Sequence, residues 1–158
     1  MKPEPKIALL LDALDEAFER HSWHGPNLRG AVRGVTAEDA VRRPRPGRHN
    51  IAEVTVHAAY WKYVVRRMLT SGKRGSFPLE GSNWFPCAKL DTAQWRRNLE
   101  MLVAEHRKLR TAVEKFPAAD LDKRSPKKRY TMAQLIRGIA AHDLYHAGQI
   151  QLLKRLVR

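Results

Sequence analysis

Four long segments of the chain repeat apolar residues every three or four positions, which is the period of an amphipathic α-helix. No alternating strand pattern interrupts them. The sequence therefore predicts an all-α fold, a four-helix bundle forming a single domain over residues 1–158. A chain of this length buries about 70% of its unfolded surface, so folding needs neither a disulfide nor a structural metal. The predicted apolar faces are Ile7, Leu10, Leu11, Leu14 and Phe18; Val54, His57, Ala58, Trp61, Val65 and Met68; Trp95, Leu99, Leu102, His106, Leu109, Val113 and Phe116; and Leu135, Ile139, His142, His146, Ile150 and Leu153.

Capping residues and helix breakers mark the ends of these segments. Asn50 with Glu53 three residues later is a capping-box pattern that opens the second long helix, and Gly72 ends it. Pro117 ends the third long helix. The other predicted N-caps are Asn27 and Thr36 for two short helices, Asp91 or Thr92 for the third long helix, and Thr131 with Gln134 for the fourth. The basic residues Lys154, Arg155 and Arg158 suit the negative C-terminal end of the fourth helix dipole.

The linker between the second and third long helices, residues 72–90, is rich in glycine and proline and has no apolar period. Fully extended, it reaches about 60 Å. A helix of about 22 residues spans only about 33 Å. The linker can therefore cross the whole bundle, so that the second and third helices run parallel.

The chain is strongly basic, with a formal net charge of +14. Residues 1–50 hold nine basic and seven acidic side chains, so the surplus belongs mainly to the later helices and to the loop 123–129. A solvated basic surface explains this charge, and so does a field that attracts a small anionic substrate. Nucleic-acid binding is disfavoured, because no helix-turn-helix signature, zinc-finger spacing or patch of interleaved aromatic residues accompanies the charge.

Cysteine content and hydropathy predict a cytoplasmic protein that does not contact membranes. Cys87 is the one cysteine, which excludes an intrachain disulfide and favours a reducing compartment. The apolar run Ile7–Leu11 is too short for a signal peptide, and acidic residues follow it directly. No segment approaches the length of a membrane span.

Two histidines, His142 and His146, lie one turn apart on the apolar face of the last helix. Side chains four residues apart have Cβ atoms about 5–6 Å from each other, so both imidazoles can bind one metal ion. The alternative is a pair of core histidines satisfied by hydrogen bonds. A metal is favoured because two buried imidazoles each need a polar partner, and a single ion satisfies both.

The third ligand is ambiguous from spacing. His57 lies on the apolar face of the second long helix, and His106 lies on that of the third. If the third and fourth helices form an antiparallel pair, His106 and His142 stand at nearly equal distances from their joined ends. Three imidazoles and an open coordination position would make a catalytic metal site. The remaining histidines, for which exposed or capping roles are expected, are His21, His24 and His49.

Several neighbours of these histidines are candidates for supporting roles. Gln149 follows His146 by three residues and could orient a ligand or a substrate. Tyr60 and Trp61 are candidates for a pocket wall, with core packing the simpler role for Trp61. Asp143 is expected off the metal face, exposed to solvent or in a salt bridge.

Two segments resemble the DinB/YfiT-like family of metal-binding four-helix bundles. His142–Ile150 is similar to the family's H-x-x-x-H-x-G-Q ending, and His49–His57 resembles the segment that ends in its first histidine ligand. Trp23–Pro26 resembles an element of one branch, without an assigned role. The resemblance implies an up-down-down-up bundle with a long crossover between the second and third helices. It also implies a divalent metal held by His57, His142 and His146, which selects His57 over His106.

The resemblance also implies a function. Relatives include thiol-dependent S-transferases and isomerases that use bacillithiol or mycothiol, and several are dimers. We therefore expect a metal-dependent enzyme with Zn²⁺ or Ni²⁺, which lowers the pKa of a bound thiol or water. Its expected substrate is a small molecule, with an anionic thiol transferred to an electrophile.

Three alternatives stay open at this point: a metal-dependent hydrolase, a non-catalytic metal-binding bundle, and a basic nucleic-acid-binding bundle. A homodimer is expected from the family and from the aromatic residues Trp84 and Phe85 in the linker, which are predicted to be exposed. The other interpretation of these two residues is a lid that folds back over the bundle. Cys87 is expected to be an inert loop thiol.

Overall fold

A computed structural model describes residues 3–125 and 129–157 of the chain. These residues form helices and contain no β-strand, so the all-α prediction is confirmed for this part of the chain. Residues 126–128 of the basic loop and Arg158, one of the predicted C-terminal charges, lie outside it. The helices are α1 (Pro5–Phe18), α2 (Leu28–Ala31), α3 (Ala37–Val41), α4 (Ile51–Leu69), α5 (Thr92–Glu114) and α6 (Met132–Leu156), with a 3₁₀ turn at Ala118–Asp120.

The predicted caps begin these helices, with one difference at α4. The side chain of Asn50 accepts a hydrogen bond of 2.9 Å from the backbone N–H of Glu53. The carboxylate of Glu53 does not return this bond, because it binds other groups described below. Complete capping boxes open α5 and α6, and the predicted caps of α2 and α3, Asn27 and Thr36, also accept backbone N–H groups.

The four long helices pack as two pairs of neighbours. Helix α4 contacts α5 and α6, and α1 contacts the same two helices from the other side. The core between them consists of two apolar clusters. The cluster near the start of α4 includes Phe18, Leu28, Ile51, Val54, Ala58, Trp95, Leu102, Ala147 and Ile150. The cluster near the start of α1 includes Ile7, Leu11, Leu14, Val65, Leu69, Leu109, Val113, Ile136 and Ile139.

The buried stripe of α6 differs from its predicted position. Asp143, expected off the buried face, is fully buried, whereas His142 is only partly buried. The reason is that α6 packs against both α1 and α4, so its buried stripe is broader than one amphipathic face and is centred farther around the helix. The buried residues of α6 are Ile136, Ile139, Ala140, Asp143, His146, Ala147 and Ile150.

The crossover between α4 and α5 packs against the bundle. Phe85 is buried, and Trp84 is half-buried beside a histidine of α4. The prediction that these aromatic residues are exposed is therefore wrong, and the alternative of a fold-back over the bundle agrees with the structure. No helix in residues 3–125 and 129–157 combines the length and hydropathy that a membrane span requires.

Candidate metal centre

Three histidines from two helices converge at one point, and we call them the histidine trio: His57 of α4 with His142 and His146 of α6. The Nε2 atom of His142 lies 3.2 Å from Nε2 of His57 and 3.0 Å from Nε2 of His146. With Zn–N bonds of about 2.0–2.1 Å, two nitrogen ligands lie about 3.3 Å apart at a tetrahedral ion and about 2.9 Å apart at an octahedral one. The observed distances therefore fit nitrogens that share one ion.

The second nitrogen of each ring shows which atoms carry free lone pairs. Nδ1 of His57 donates to the backbone oxygen of Asn83 at 2.8 Å, and Nδ1 of His146 donates to Oε1 of Gln149 at 2.7 Å. Because an oxygen of a carbonyl or amide only accepts, both Nε2 atoms present lone pairs. Nδ1 of His142 is buried and has no hydrogen-bond partner among residues 3–125 and 129–157. If Nε2 of His142 carried a proton, it could donate a hydrogen bond to only one of the other two Nε2 atoms. A cation at this point accepts the lone pairs of all three rings.

Burial keeps these rings neutral. It lowers the pKa of His57 to about 4 and that of His142 to about 3. Repulsion from the positive charge that His146 carries when protonated lowers both pKa values further. Burial also lowers the pKa of His146, against the hydrogen bond to Gln149. At neutral pH the three imidazoles are therefore in the deprotonated form that ligates metals.

Trp84 of the crossover stacks between two histidines. Its ring lies 3.9 Å from that of His57 and 3.6 Å from that of His49, with interplanar angles of 13° and 7°. The neighbouring Asn83 has a φ of +62°, which asparagine tolerates, and its side chain accepts a hydrogen bond of 2.9 Å from Nε1 of Trp61. The crossover thus fixes the orientation of His57 through both a stacked ring and a backbone carbonyl.

Glu53, one turn before His57, organises the entrance to α4. Its buried carboxylate pairs with Arg43, lies 2.8 Å from Nδ1 of His49 and accepts a 2.9 Å bond from the N–H of Cys87. Burial, the largest single influence, raises its pKa, but the hydrogen bonds from Arg43, Cys87 and His49 together bring the pKa of Glu53 to about 2. The carboxylate is ionised, so Nδ1 of His49 carries a hydrogen.

His49 is the site residue that the sequence prediction missed. His49 is exposed, as expected, and Asn50 forms the cap, but His49 also lines a cavity beside the trio, a role that the sequence did not predict. The sequence offers only a weak signal for this role: Glu53 follows four residues later and meets His49, although His49 itself precedes the N-cap of α4.

A cavity of about 1050 Å³ opens beside the trio. All three histidines line it, together with His49 and Trp84. The other lining residues are Pro44, Arg45, Arg48, Val54, Trp61, Asn83, Tyr145, Gln149, Leu152, Leu153 and Leu156.

His106, the alternative third ligand, belongs to a different group, which we call the core polar cluster: Lys62, His106 and Asp143. Lys62 and Asp143 are fully buried and form an ion pair. The His106 ring stacks on Phe18 at 3.8 Å, and neither of its nitrogens has a hydrogen-bond partner in the described part of the chain. Burial, followed by the charge of Lys62, lowers the pKa of His106 to about 2. Asp143 therefore forms a salt bridge, which was one of the two roles expected for it.

The other candidates divide between the cavity and its surroundings. Gln149 contacts His146 and donates a 3.0 Å hydrogen bond to the hydroxyl of Tyr145. Trp61 lines the cavity, beyond the core packing expected of it. Tyr60 does not line the cavity and packs against Phe77 and Phe85 instead.

Two further sequence features lie outside the trio. Trp23, in the segment Trp23–Pro26, has 93% of its surface exposed, and the structure gives this segment no role. The thiol of Cys87 is half-buried, and burial together with the charge of Glu53 raises its pKa. A raised pKa disfavours the reactive thiolate, in line with the expected inert thiol.

Comparisons with known proteins agree with this architecture. Residues 20–150 match the DinB superfamily. A solved structure, described as the crystal structure of the conserved protein of locus from Enterococcus faecalis, superimposes with a TM-score of 0.73 and 18% sequence identity over 95% of each chain. At that identity the likeness shows the fold alone. No curated protein matches the chain.

Proposed function

Because the chain belongs to the DinB superfamily, a family of metal-binding proteins, we propose that it is a metal-dependent enzyme whose histidine trio holds one Zn²⁺ or Ni²⁺ ion. One observation carries this proposal: three histidine ring nitrogens, all within 4.8 Å of one another, converge on the wall of a large cavity. Two of the rings are oriented through their other nitrogen, as metal-ligating histidines usually are.

The number of protein ligands favours a catalytic site over a structural one. When bound, a divalent ion supplies a Lewis acid that lowers the pKa of a thiol or water in contact with it. A structural zinc ion normally has four protein ligands. In residues 3–125 and 129–157 the group of candidate ligands contains the trio and no fourth histidine, cysteine or carboxylate. The trio therefore leaves room for a substrate on the side of the cavity.

We assign the proton transfer to His49. Glu53 holds its Nδ1–H, which leaves Nε2 as the free nitrogen of a ring that lines the cavity. In the proposed reaction, a thiol sulfur forms a bond to an electrophilic carbon, the leaving group departs with the electron pair of the broken bond, and Nε2 of His49 accepts the thiol proton. Glu53 is a positioning residue, because it acts through His49.

The proposed reaction class is transfer of a low-molecular-weight thiol to an electrophilic small molecule. Its support is the family resemblance together with a cavity that has space for two small substrates, since ligand pockets commonly measure about 300–1,000 Å³. Hydrolysis of an ester or amide would use the same residues and is the first competing outcome of the tests below.

The proposal also includes the up-down-down-up order of α1, α4, α5 and α6. The first half of α4 shares an apolar cluster with the end of α6 and the start of α5, whereas its second half shares the other cluster with the start of α6 and the end of α5. This supports α4 antiparallel to α6 and parallel to α5. A single domain, a cytoplasmic location and a homodimer remain predictions, and light scattering at micromolar concentration tests the last.

Elemental analysis of the purified, metal-loaded protein tests the site. We expect one Zn²⁺ or Ni²⁺ ion per chain in the wild type and none in His142→Ala, because two imidazoles hold such an ion far less tightly than three. His106→Phe is the matched control and keeps the ion, since His106 lies outside the trio. An ion retained at full occupancy by His142→Ala would reject the site.

Turnover by the metal-loaded protein tests the reaction. Bacillithiol, mycothiol and glutathione are offered with a generic electrophile, followed by a panel of esters and amides. His49→Gln is expected to lower kcat about 100-fold, with metal content unchanged. No turnover in either panel would reject the enzyme, and a hydrolytic product alone would replace transfer by hydrolysis.

A further inference from the structure

The cavity beside the trio has cationic residues on one segment and apolar residues on another. Arg45 and Arg48, which we call the arginine pair, precede α4. Leu152, Leu153 and Leu156, which we call the leucine wall, lie near the end of α6. We infer that the cavity binds a small carboxylate that carries an apolar chain or ring, with its anion at the arginine pair and its apolar part along the leucine wall. This inference rests on the proposed function and identifies the class of its electrophilic substrate.

The charge of the cavity is of one sign. Among its lining residues in the described part of the chain, Arg45 and Arg48 are arginines and none is aspartate or glutamate. Their neighbours in sequence are committed elsewhere, Arg43 to Glu53 and Arg42 to Glu38. The guanidinium groups of the arginine pair have no hydrogen bond or ion pair within residues 3–125 and 129–157. A planar guanidinium with free donors matches the two oxygens of a carboxylate.

The leucine wall has apolar surface that the protein itself does not cover. Leu152 and Leu156 keep 58% and 57% of their surface exposed, and Tyr145 on the same cavity keeps 63%. Exposed apolar side chains are unremarkable when scattered, but a group on one concave surface marks a binding site. Leucine side chains have no polar atoms, so they offer no hydrogen bond to the polar groups of a low-molecular-weight thiol. The wall therefore suits the electrophilic substrate, not the thiol.

Isothermal titration calorimetry on the whole chain, metal-free and metal-loaded, tests the inference with simple probes. Octanoate carries both features, acetate only the anion, and octylamine has the same chain with the opposite charge. We expect octanoate to bind at least about 10-fold more tightly than either of the others. Equal affinity for octanoate and octylamine would overturn the role of the arginine pair, and equal affinity for octanoate and acetate would overturn that of the leucine wall.

Variants locate the binding. Arg45→Gln with Arg48→Gln is expected to weaken octanoate about 10-fold or more, whereas Arg74→Gln with Arg97→Gln removes the same charge outside this cavity and leaves the affinity unchanged. An equal effect of both double variants would mean that the overall positive charge of the protein attracts octanoate, not the arginine pair in particular, and would overturn the inference. Leu152→Ser with Leu156→Ser is also expected to weaken octanoate. If that variant instead converts a dimer to a monomer with octanoate binding unchanged, the wall is a subunit interface and the inference fails.

The failure of this inference is distinguishable from failure of the metal site. The metal-free wild type lacks the ion but keeps the arginine pair and the leucine wall, so it should bind octanoate within about threefold of the metal-loaded protein. Octanoate that binds only to metal-loaded protein, and with equal affinity in the Arg45→Gln and Arg48→Gln double variant, would place the carboxylate on the ion and overturn the inference.

Discussion

Helices α4 and α6 both contribute to two buried polar groups, the core polar cluster, to which α5 adds His106, and the histidine trio. In the core polar cluster, the ammonium of Lys62 and the carboxylate of Asp143 neutralise each other, and both residues are completely enclosed. In the histidine trio, three neutral bases face one another beside a cavity with no donor to share among all of them. The opposite charges of the first group neutralise each other within the chain, whereas the lone pairs of the second converge on a point that an added cation can occupy.

The difference lies in how the side chains are arranged, not in the residue types. Both groups contain buried histidine, and burial lowers the pKa of histidines in both. A perturbed pKa alone would therefore have placed His106 beside His142 as a candidate ligand. What separates them is convergence: the trio directs several lone pairs to one point, whereas the ring of His106 faces Phe18 and is not directed at other ligands.

Breaking the ion pair of the core polar cluster should have the largest effect. Lys62→Ala leaves Asp143 buried and unpaired, which costs about 3–5 kcal/mol in the free energy of unfolding. The double variant Lys62→Met with Asp143→Leu removes both charges and should recover most of this loss, as urea denaturation of metal-free protein will show. It should also keep one ion per chain. A double variant that folds but loses the ion would show that the two groups are coupled.

Removing the ring nitrogens of His106 should alter the pH dependence of stability. Its folded-state pKa of about 2 lies below the value near 6.5 in an unfolded chain. As the pH falls below 6.5, the unfolded chain binds a proton that the folded state cannot bind, so stability decreases by about 1.4 kcal/mol per pH unit. Between pH 7.5 and 5.0 the wild type should lose about 2 kcal/mol more than His106→Phe.

Urea denaturation of the metal-free proteins at both pH values measures this difference. The comparison isolates His106 because the trio is present in both proteins. An equal loss of stability in wild type and variant would contradict the neutral, buried state of this ring.

Weakening the support of the trio should have the smallest effect. Gln149→Leu removes the acceptor of the His146 Nδ1–H and should lower Zn²⁺ affinity about 10-fold in a chelator competition. Tyr145→Phe is the matched control, because it removes only the hydroxyl that accepts a hydrogen bond from Gln149. It should change the Zn²⁺ affinity by less than about threefold. Unchanged affinity in Gln149→Leu would mean that packing, not this bond, orients His146.

Local features of the fold were predictable from the sequence. Helix ends follow from capping residues and breakers, so Asn50 and Thr131 mark the starts of α4 and α6 correctly. The pairing of His142 with His146 follows from helix geometry alone. The choice of His57 over His106 did not follow from the residues, because both lie on apolar faces. It came from the family resemblance.

Features that depend on packing between elements were not predictable. The burial of Asp143 arises because α6 contacts two long helices at once, which a single periodic stripe does not reveal. The stacking of Trp84 depends on the path of an irregular crossover, for which no periodicity gives a register. The cavity likewise combines a loop before α4 with the end of α6, residues far apart in sequence.

The wide separation of the trio along the chain has a consequence for the order of events during synthesis. His57 and His142 are 85 positions apart, so the coordination pocket exists only after the final helix has docked. A site with all three ligands therefore cannot form in the early steps of folding. A bound ion would instead stabilise a bundle that has already closed, by an amount that grows with the logarithm of the ratio of its free concentration to its dissociation constant. Metal uptake by a nascent chain would thus report completion of the bundle, not its beginning.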